Sequence, residues 1–216
     1  MNKKISLDKY KHISFDLDGT LVHTLEEYRF KVVPKVVKQL GGKIKYKHSV
    51  NKFWFEAGRD KTIKEEFNLD PETFWDLFKK IDTPNKRSSH TFAYPDAEPT
   101  LRFLKKINKI ISIITGARDW IARMEIEKLN GAPYDFYLSL YDSDFNEKPD
   151  PAGLKFAMKK TQTNPGETLY VGNSNEDAYF AKNAGVDFLY LCRKEHNFDL
   201  RDYSIGKIHS LDELIF

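Results

Sequence analysis

The sequence predicts an α/β protein in which a Rossmann-like core with a parallel sheet carries an inserted α-helical domain. From residue 110 onward, short apolar runs alternate with helical patterns, which is typical of a parallel sheet covered by helices. One more apolar run lies near the N terminus, and a long stretch with only helical periodicity separates it from the others. We therefore expect residues 1–22 and 92–216 to form the core and residues 23–91 to form the helical domain.

The strands of the expected core are short runs of β-branched, aromatic and other apolar residues. Helical patterns lie between the later runs, near 120–129, 151–160 and 176–183. Because a helix returns the chain to the start of the sheet after each strand, the strands should run parallel. The runs read HISFD at 12–16, IISIIT at 110–115, FYLSL at 136–140, TLYVG at 168–172 and DFLYLC at 187–192.

The inserted segment has no strand-like run. Thr24 and Glu27 have the spacing of a capping box, and apolar residues follow at helical intervals as far as Leu40. Asp70 and Pro71 suit the N-cap and the first position of another helix, and residues 49–67 have a mainly helical pattern. Residues 24–91 contain 15 basic and 10 acidic residues. This positive excess either attracts anions or belongs to solvated helix surfaces.

Composition narrows the class of protein. The chain has 216 residues, a formal net charge of +3 and 40% hydrophobic residues, so it can bury an ordinary core but is not basic enough to indicate nucleic-acid binding. No apolar run is long enough to span a membrane, and the first residues lack the apolar region of a secretory signal. The single cysteine agrees with a reducing compartment. We expect a cytoplasmic protein without membrane or nucleic-acid partners, either a monomer or a homodimer.

The motif FDLDGTLV, at 15–22, carries the most specific chemistry. Asp16 ends the first predicted strand, where its carboxylate can act as a nucleophile or a metal ligand. Asp18 follows two residues later and can exchange a proton with a leaving group or with water. Neighbouring carboxylates near a metal are driven to different protonation states, which suits a nucleophile and an acid.

Three further motifs follow in order along the chain. Thr115 and Gly116 end a predicted strand, and a hydroxyl with nearby backbone N–H groups suits phosphate binding. Lys148 stands in the sequence EKPDP, at 147–151. The last motif is YVGNSNED, at 170–177, which places Asn173 and Asp177 after another predicted strand.

These four motifs resemble those of the haloacid dehalogenase superfamily, and in particular its phosphoglycolate phosphatase-like members with a helical cap inserted after the first motif. The resemblance covers nearly the whole chain. It implies a magnesium-dependent phosphatase acting on a small phosphorylated metabolite, in which Asp16 is the nucleophile and a metal ligand and Asp18 is the general acid/base and binds metal. It also implies that Thr115 and Gly116 bind phosphate, that Lys148 steadies the nucleophile, and that Asp177 completes the Mg²⁺ site.

The sequence departs from the family pattern at two positions. Asn173 stands where the family usually has an aspartate that binds the metal, so we expect Mg²⁺ to bind through the amide oxygen but more weakly. His23 follows the first motif where phosphatases of this type often have aspartate. In the family's helical caps, the loop that corresponds to residues 56–61 reaches into the active site, which makes Arg59 and Lys61 substrate-binding candidates.

Two alternatives remain open. A phosphomutase or another phosphoryl-transfer relative would share the core, although the sugar phosphomutases usually have a cap histidine near the position of Tyr28. A protein of another class could keep the fold and only bind a phosphorylated ligand without hydrolysing it. Turnover of p-nitrophenyl phosphate with magnesium distinguishes an enzyme from such a binding protein.

Overall fold

The computed structural model describes residues 5–56, 58–193 and 203–215. The chain divides into two compact units, of which the first contains Met1–His23 and Phe92–Phe216 and the second contains Thr24–Thr91. Ala57, which belongs to the loop expected to reach into the site, lies outside the described residues. None of the described helices has the length and apolar character needed to cross a membrane.

The first unit is built on a parallel sheet, which confirms the predicted fold class. Within the described residues the sheet has six strands in the order β5-β4-β1-β6-β7-β8. Because β1 lies between β4 and β6, the carboxyl ends of these three strands meet at one edge, where ligands of open parallel sheets bind. The strands are β1 (His12–Phe15), β4 (Ile110–Thr115), β5 (Phe136–Ser139), β6 (Thr168–Gly172), β7 (Asp187–Leu191) and β8 (Gly206–Ile208).

Helices cover the sheet, and each face buries its own apolar cluster. One cluster includes Phe15, Ile113 and Leu189, and the other includes Ile114, Tyr170 and Phe188, as expected from side chains that alternate along buried strands. The helix α6 (Ala97–Lys106) and the strand β8 were not predicted. The helices of this unit are α6 (Ala97–Lys106), α7 (Asp119–Glu127), α8 (Ala152–Thr161) and α9 (Asn175–Ala184).

The second unit is helical and has a separate core rich in aromatic residues, among them Phe53, Phe67 and Phe74. As predicted, the Asp70 side chain accepts the Thr73 backbone N–H (2.9 Å) and Pro71 begins the following helix. The helices are α1 (Glu26–Gln39), α2 (Lys47–Phe55), α3 (Arg59–Phe67), α4 (Pro71–Ile81) and α5 (Pro84–Ser88).

The predicted capping box at Thr24 is wrong. The residue that precedes α1 is Leu25, and it makes no side-chain cap. Thr24 instead belongs to a short strand, β2 (Val22–Thr24), which pairs with β3 (Thr91–Ala93). Its hydroxyl lies 3.0 Å from the hydroxyl of Thr91, so a tertiary partner replaces the local one that the spacing suggested.

His12, at the start of β1, gives the core a pH dependence. Its ring is fully buried against the Ser112 hydroxyl (2.8 Å), and burial lowers its pKa from 6.5 to about 4. Between these two pKa values, His12 binds a proton in the unfolded chain but not in the folded chain. Its contribution to stability is therefore complete above pH 6.5 and is lost as the pH falls toward 4. Between pH 7.5 and 5, we expect His12 to account for a loss of about 2 kcal/mol in the free energy of unfolding.

Denaturant titrations at these two pH values check the prediction. The variant His12→Gln should lack this part of the pH dependence, while His209→Gln, which changes an exposed histidine, should behave like the wild type. An unchanged pH dependence in His12→Gln would show that other groups cause the acid loss.

Candidate active site

The first candidate residues lie on the loop that follows β1. Asp16 comes directly after the strand, is buried, and donates its backbone N–H to the Val171 carbonyl (2.9 Å). The loop turns at Gly19, whose φ of 83° lies in the left-handed region that glycine adopts without steric cost. The Leu17 carbonyl accepts backbone N–H groups from the three residues after Gly19, and Asp18 is half-buried. The turn thus presents two carboxylates at the end of the central strand.

Lys148 connects this loop to a second acidic residue. Its Nζ lies 2.6 Å from Oδ1 of Asp16 and 2.8 Å from Oδ1 of Asp177, and only 6% of its side chain is exposed. The same Nζ lies 5.4 Å from the ring centroid of Tyr170 and 5.7 Å from that of Phe180, within the range of cation–π attraction. Two carboxylates and two rings therefore hold one ammonium group in a defined position.

Burial decides the protonation of this cluster. It raises the pKa of Asp16 to about 7, because the ionised carboxylate loses its solvation; Lys148 opposes this shift, while Asp177 and Asp18 add to it. Burial by itself would lower the pKa of Lys148, but its carboxylate partners hold that pKa well above the usual range. Lys148 therefore remains cationic at neutral pH and is the main stabilising charge for an ionised Asp16.

Asp177 is already supplied with hydrogen-bond donors. Its Oδ1 accepts from Lys148 and from the hydroxyl of Tyr170 (3.3 Å). Its Oδ2 accepts from the backbone N–H of Asn173 (3.0 Å) and from both the backbone N–H (3.1 Å) and the hydroxyl (2.8 Å) of Ser174. Five donors on two oxygens leave little capacity for a metal ion. The contacts favour a supporting role for Asp177 rather than the direct metal binding expected from the family resemblance.

Two residues of the last motif thus escaped prediction. Tyr170 and Ser174 both hold Asp177, and neither was named as a functional candidate. The spacing of Ser174 and Asp177 is that of a capping box at the start of α9, which the structure contains. This pattern could have indicated from the sequence that the Asp177 carboxylate faces its own helix terminus.

Gly172 makes this arrangement possible. A Cβ on Gly172 would lie 2.6 Å from Cγ of Asp177, closer than side chains can approach.

Asn173, the next residue, is 4% exposed. Its side-chain amide has no hydrogen-bond partner among the residues that the structure describes. The amide oxygen is therefore open to a ligand.

Thr115 and Gly116 lie at the end of β4, beside β1. The Thr115 hydroxyl accepts the backbone N–H of Ala117 (3.0 Å), and the side chain is almost fully buried. Apart from the two adjacent residues, no atom of the described part of the chain lies within 4 Å of the place where a Cβ on Gly116 would be. The fold itself therefore does not require glycine at position 116, and the open space leaves room for a ligand to approach the backbone.

The remaining two substrate-binding candidates lie in the helical unit, at the start of α3. Arg59 donates from Nε to the Phe53 carbonyl (3.2 Å), which ties it to α2. The Lys61 side chain is 74% exposed and lies 4.0 Å from Glu65, a contact that contributes little. The roles of Arg59 and Lys61 in substrate binding stay predictions.

The donor set suits a hard divalent cation. In the described part of the chain, no group of three or more His, Cys, Asp or Glu side chains is arranged to hold a metal, so carboxylates alone do not form a site. Oδ2 of Asp16 accepts no hydrogen bond from any described residue, and the Asn173 amide is likewise unpaired. Carboxylate and amide oxygens are ligands that Mg²⁺ accepts, and these two residues follow neighbouring strands.

Comparison with known proteins places the chain in a family. The model of the haloacid dehalogenase-like hydrolase family matches residues 13–191, so the chain belongs to that family. Among solved structures, a haloacid dehalogenase-like hydrolase from Bacteroides fragilis has a TM-score of 0.76 at 23% identity, covering 92% of this chain and 96% of its own. A HAD phosphatase from Thermococcus onnurineus has a TM-score of 0.68 at 24% identity, covering 94% and 95%. These likenesses confirm the fold.

Sequence relatives narrow the class further. The phosphoglycolate phosphatase of Pseudomonas syringae pv. syringae (strain B728a) is 28% identical over 186 residues, which are 82% of this chain and 67% of the relative. That of Pseudomonas fluorescens (strain Pf0-1) is 26% identical over 186 residues, 81% of this chain and 66% of the relative. The prediction of a phosphatase of the phosphoglycolate phosphatase-like type is confirmed at this level.

Proposed function

We propose that the protein is a magnesium-dependent phosphatase that hydrolyses a small organic phosphomonoester through a phosphoryl group carried on Asp16. The observation that carries the proposal is the buried Asp16 carboxylate at the end of β1, held 2.6 Å from Lys148 through one oxygen. The other oxygen has no protein donor in the described residues. An oriented carboxylate beside a fixed cation is suited to attack phosphorus and to carry the resulting ester.

The proposed reaction has two steps. Asp16 forms a bond to phosphorus while the ester oxygen departs with a proton from Asp18. Asp18 then takes a proton from the water that attacks the phosphoaspartate, and inorganic phosphate leaves. Thr115 and Gly116 bind phosphoryl oxygens, and Lys148 stabilises the negative charge around Asp16.

Mg²⁺, when bound, would neutralise part of the phosphoryl charge. We propose that Asp16, Asp18 and Asn173 hold it directly. Asp177 then acts on the site by holding Lys148 and the backbone of Asn173. This assignment gives the shell two carboxylates fewer than the family pattern implies, since Asn173 replaces an aspartate and Asp177 does not bind the metal directly.

Substituting Asn173 tests that assignment. Asn173→Asp adds a negative charge at the position of the unpaired amide, so the Mg²⁺ concentration that gives half-saturation should fall by about tenfold. At saturating Mg²⁺ the difference in kcat should shrink, because the site is then filled in both proteins. The measurement is a Mg²⁺ titration of kcat for the two proteins side by side. An unchanged or weaker Mg²⁺ dependence in Asn173→Asp would remove Asn173 from the metal site.

The names of the relatives support a substrate class. Their activity on phosphoglycolate suggests a small phosphomonoester with a second anionic group, and the positive excess in residues 24–91 agrees with an anionic substrate. The test is a screen of the purified protein with Mg²⁺ against a panel of phosphoesters that includes phosphoglycolate, sugar phosphates and nucleoside monophosphates. Failure to release phosphate from any of them, or from p-nitrophenyl phosphate, would contradict the proposed function.

We also propose that Arg59 and Lys61 recognise the non-reacting part of the substrate. Arg59→Ala and Lys61→Ala should then lower kcat/KM for the best substrate of the panel about tenfold, and that for p-nitrophenyl phosphate by less than about twofold. Lys64→Ala, a change at a lysine of the same helix, is the matched control. Equal losses on both substrates would indicate general damage instead.

The contacts of Tyr28 do not favour the phosphomutase alternative. Tyr28 is buried in the core of the helical unit, and its hydroxyl donates to Asp82 (2.7 Å). The position near which a mutase usually has a histidine therefore holds a structural tyrosine. No contact of the described residues favours a binding protein without catalysis over an enzyme.

A further inference from the structure

A buried ion pair contacts the loop that carries Asp18. Arg193, just after β7, donates from Nη1 (2.7 Å) and Nη2 (2.8 Å) to the two carboxylate oxygens of Asp96. The same Nη2 donates to the backbone carbonyl of Thr20 (2.9 Å), two residues after Asp18. Both side chains of the pair are buried. The guanidinium group therefore connects the catalytic loop to the start of α6.

Asp96, the acidic member of the pair, is also held by residues other than Arg193. Asp96 accepts two more hydrogen bonds through Oδ2, from the Ser210 hydroxyl and from the Leu211 backbone N–H, both at 2.8 Å. A carboxylate with four donors in a buried setting has one preferred orientation. Since Asp96 is fixed in this way, the position of Arg193 is fixed as well.

Tyr94 adds a second support to the same loop. The Arg193 guanidinium carbon lies 3.9 Å from the ring centroid of Tyr94, within the range of cation–π attraction. The Tyr94 backbone N–H donates to the Leu21 carbonyl (3.0 Å). Arg193 and Tyr94 thus hold two successive carbonyls of the loop. Arg193 holds that of Thr20, and Tyr94 holds that of Leu21.

Local hydrogen bonds to the Leu17 carbonyl close the turn, and the contacts of Arg193 and Tyr94 attach the turn to the rest of the core. Gly19, between Asp18 and Thr20, is the residue type with the fewest steric restrictions, so these tertiary contacts also act on the direction of the loop. We propose that Asp96 and Arg193 are a positioning pair that directs Asp18 toward the leaving-group oxygen. This inference rests on the proposed phosphatase activity and goes beyond it, because neither residue belongs to the four motifs.

The test uses two aryl phosphates that differ in their need for an acid. Phenolate is a poor leaving group and needs a proton from Asp18, whereas p-nitrophenolate leaves readily without one. Values of kcat/KM report the steps up to phosphorylation of Asp16. In Asp96→Asn, kcat/KM should fall about tenfold further for phenyl phosphate than for p-nitrophenyl phosphate, a part of the 10²–10⁴ that a general acid contributes.

A matched control is present in the helical unit. Asp82 and Arg87 form a second buried ion pair (2.7 Å), and the Arg87 guanidinium carbon lies 4.4 Å from the ring centroid of Trp54. Asp82→Asn should cost a comparable amount of stability but leave the ratio of the two kcat/KM values unchanged. Arg193→Lys, which keeps the charge but loses the bidentate geometry, should change the ratio in the same direction as Asp96→Asn.

Each outcome of the experiment either supports or overturns the positioning role of Asp96 and Arg193. If Asp96→Asn folds poorly, Arg193→Lys carries the test. If the wild type hydrolyses both esters and both variants reduce kcat/KM for them by the same factor, the pair is structural only and the positioning inference is overturned while the proposed function stands. If the wild type hydrolyses neither ester with Mg²⁺, the proposed function fails and the inference fails with it.

Discussion

Asp16→Asn is expected to abolish phosphate release while the protein remains folded. The amide is not a competent nucleophile, so kcat should fall by more than about a hundredfold, a rise in barrier above roughly 2.7 kcal/mol. The fold should survive, because an amide of the same size still reaches Lys148, and Lys148 keeps its contact with Asp177 (2.8 Å). Phosphate release with Mg²⁺ and thermal denaturation of the same samples provide the two measurements.

The matched control for this prediction is Asp187→Asn. Asp187 begins β7 and pairs with Lys9 (2.6 Å), so it lies at the opposite end of the strands from Asp16. Its substitution should leave kcat within about twofold of the wild type, since surface ion pairs contribute little. Should Asp16→Asn keep more than about a hundredth of the wild-type kcat, the covalent mechanism would be wrong.

Lys148→Met is expected to lower both activity and stability. It removes the only ammonium in contact with Asp16 and Asp177 in the described structure, and leaves the two buried carboxylates facing each other. Loss of one partner of a buried ion pair typically costs about 3–5 kcal/mol. The loss of charge stabilisation at the phosphoryl group should lower kcat by at least about a hundredfold. Denaturant titrations without added metal and kcat with saturating Mg²⁺ measure the two effects.

The double variant Lys148→Met with Asp177→Asn separates these effects. Neutralising Asp177 removes one of the unpaired carboxylates, so most of the lost stability should return. Activity should not return, because the cation beside Asp16 is still missing. If the double variant regains activity, Lys148 serves catalysis only by neutralising Asp177, and its proposed role at the phosphoryl group is wrong.

The succession of strands along the chain and the first motif could be predicted because both depend on short-range patterns. Alternating apolar and helical stretches predicted the parallel sheet, and the strand register then brought the ends of β1, β4 and β6 together. Lys148 could be named from its motif, although it lies 132 residues from Asp16 along the chain. The helix that begins at Pro71 was predicted because its cap is local.

Other features depended on partners that no local pattern reveals. Thr24 has the spacing of a cap, but in the folded chain Thr91 lies beside its hydroxyl, so the helix begins without it. The motif predicts that Asp177 is a metal ligand, but in the structure Tyr170 and Ser174 donate hydrogen bonds to its carboxylate oxygens. Each outcome depends on which donors the fold brings within about 3 Å, a distance over which a hydrogen bond forms or fails.

By itself, the sequence determined the α/β class and the residue types that can do the chemistry, because strand and helix periodicity act over a few residues. The family was indicated by the resemblance of the four motifs. The tertiary structure decided how those residues are oriented. Arg193 and Asp96 are separated by 97 residues, and only the tertiary fold brings their charges together. Hydrogen bonds and charge effects in a buried site depend on distance and burial, and both quantities exist only once the chain has folded.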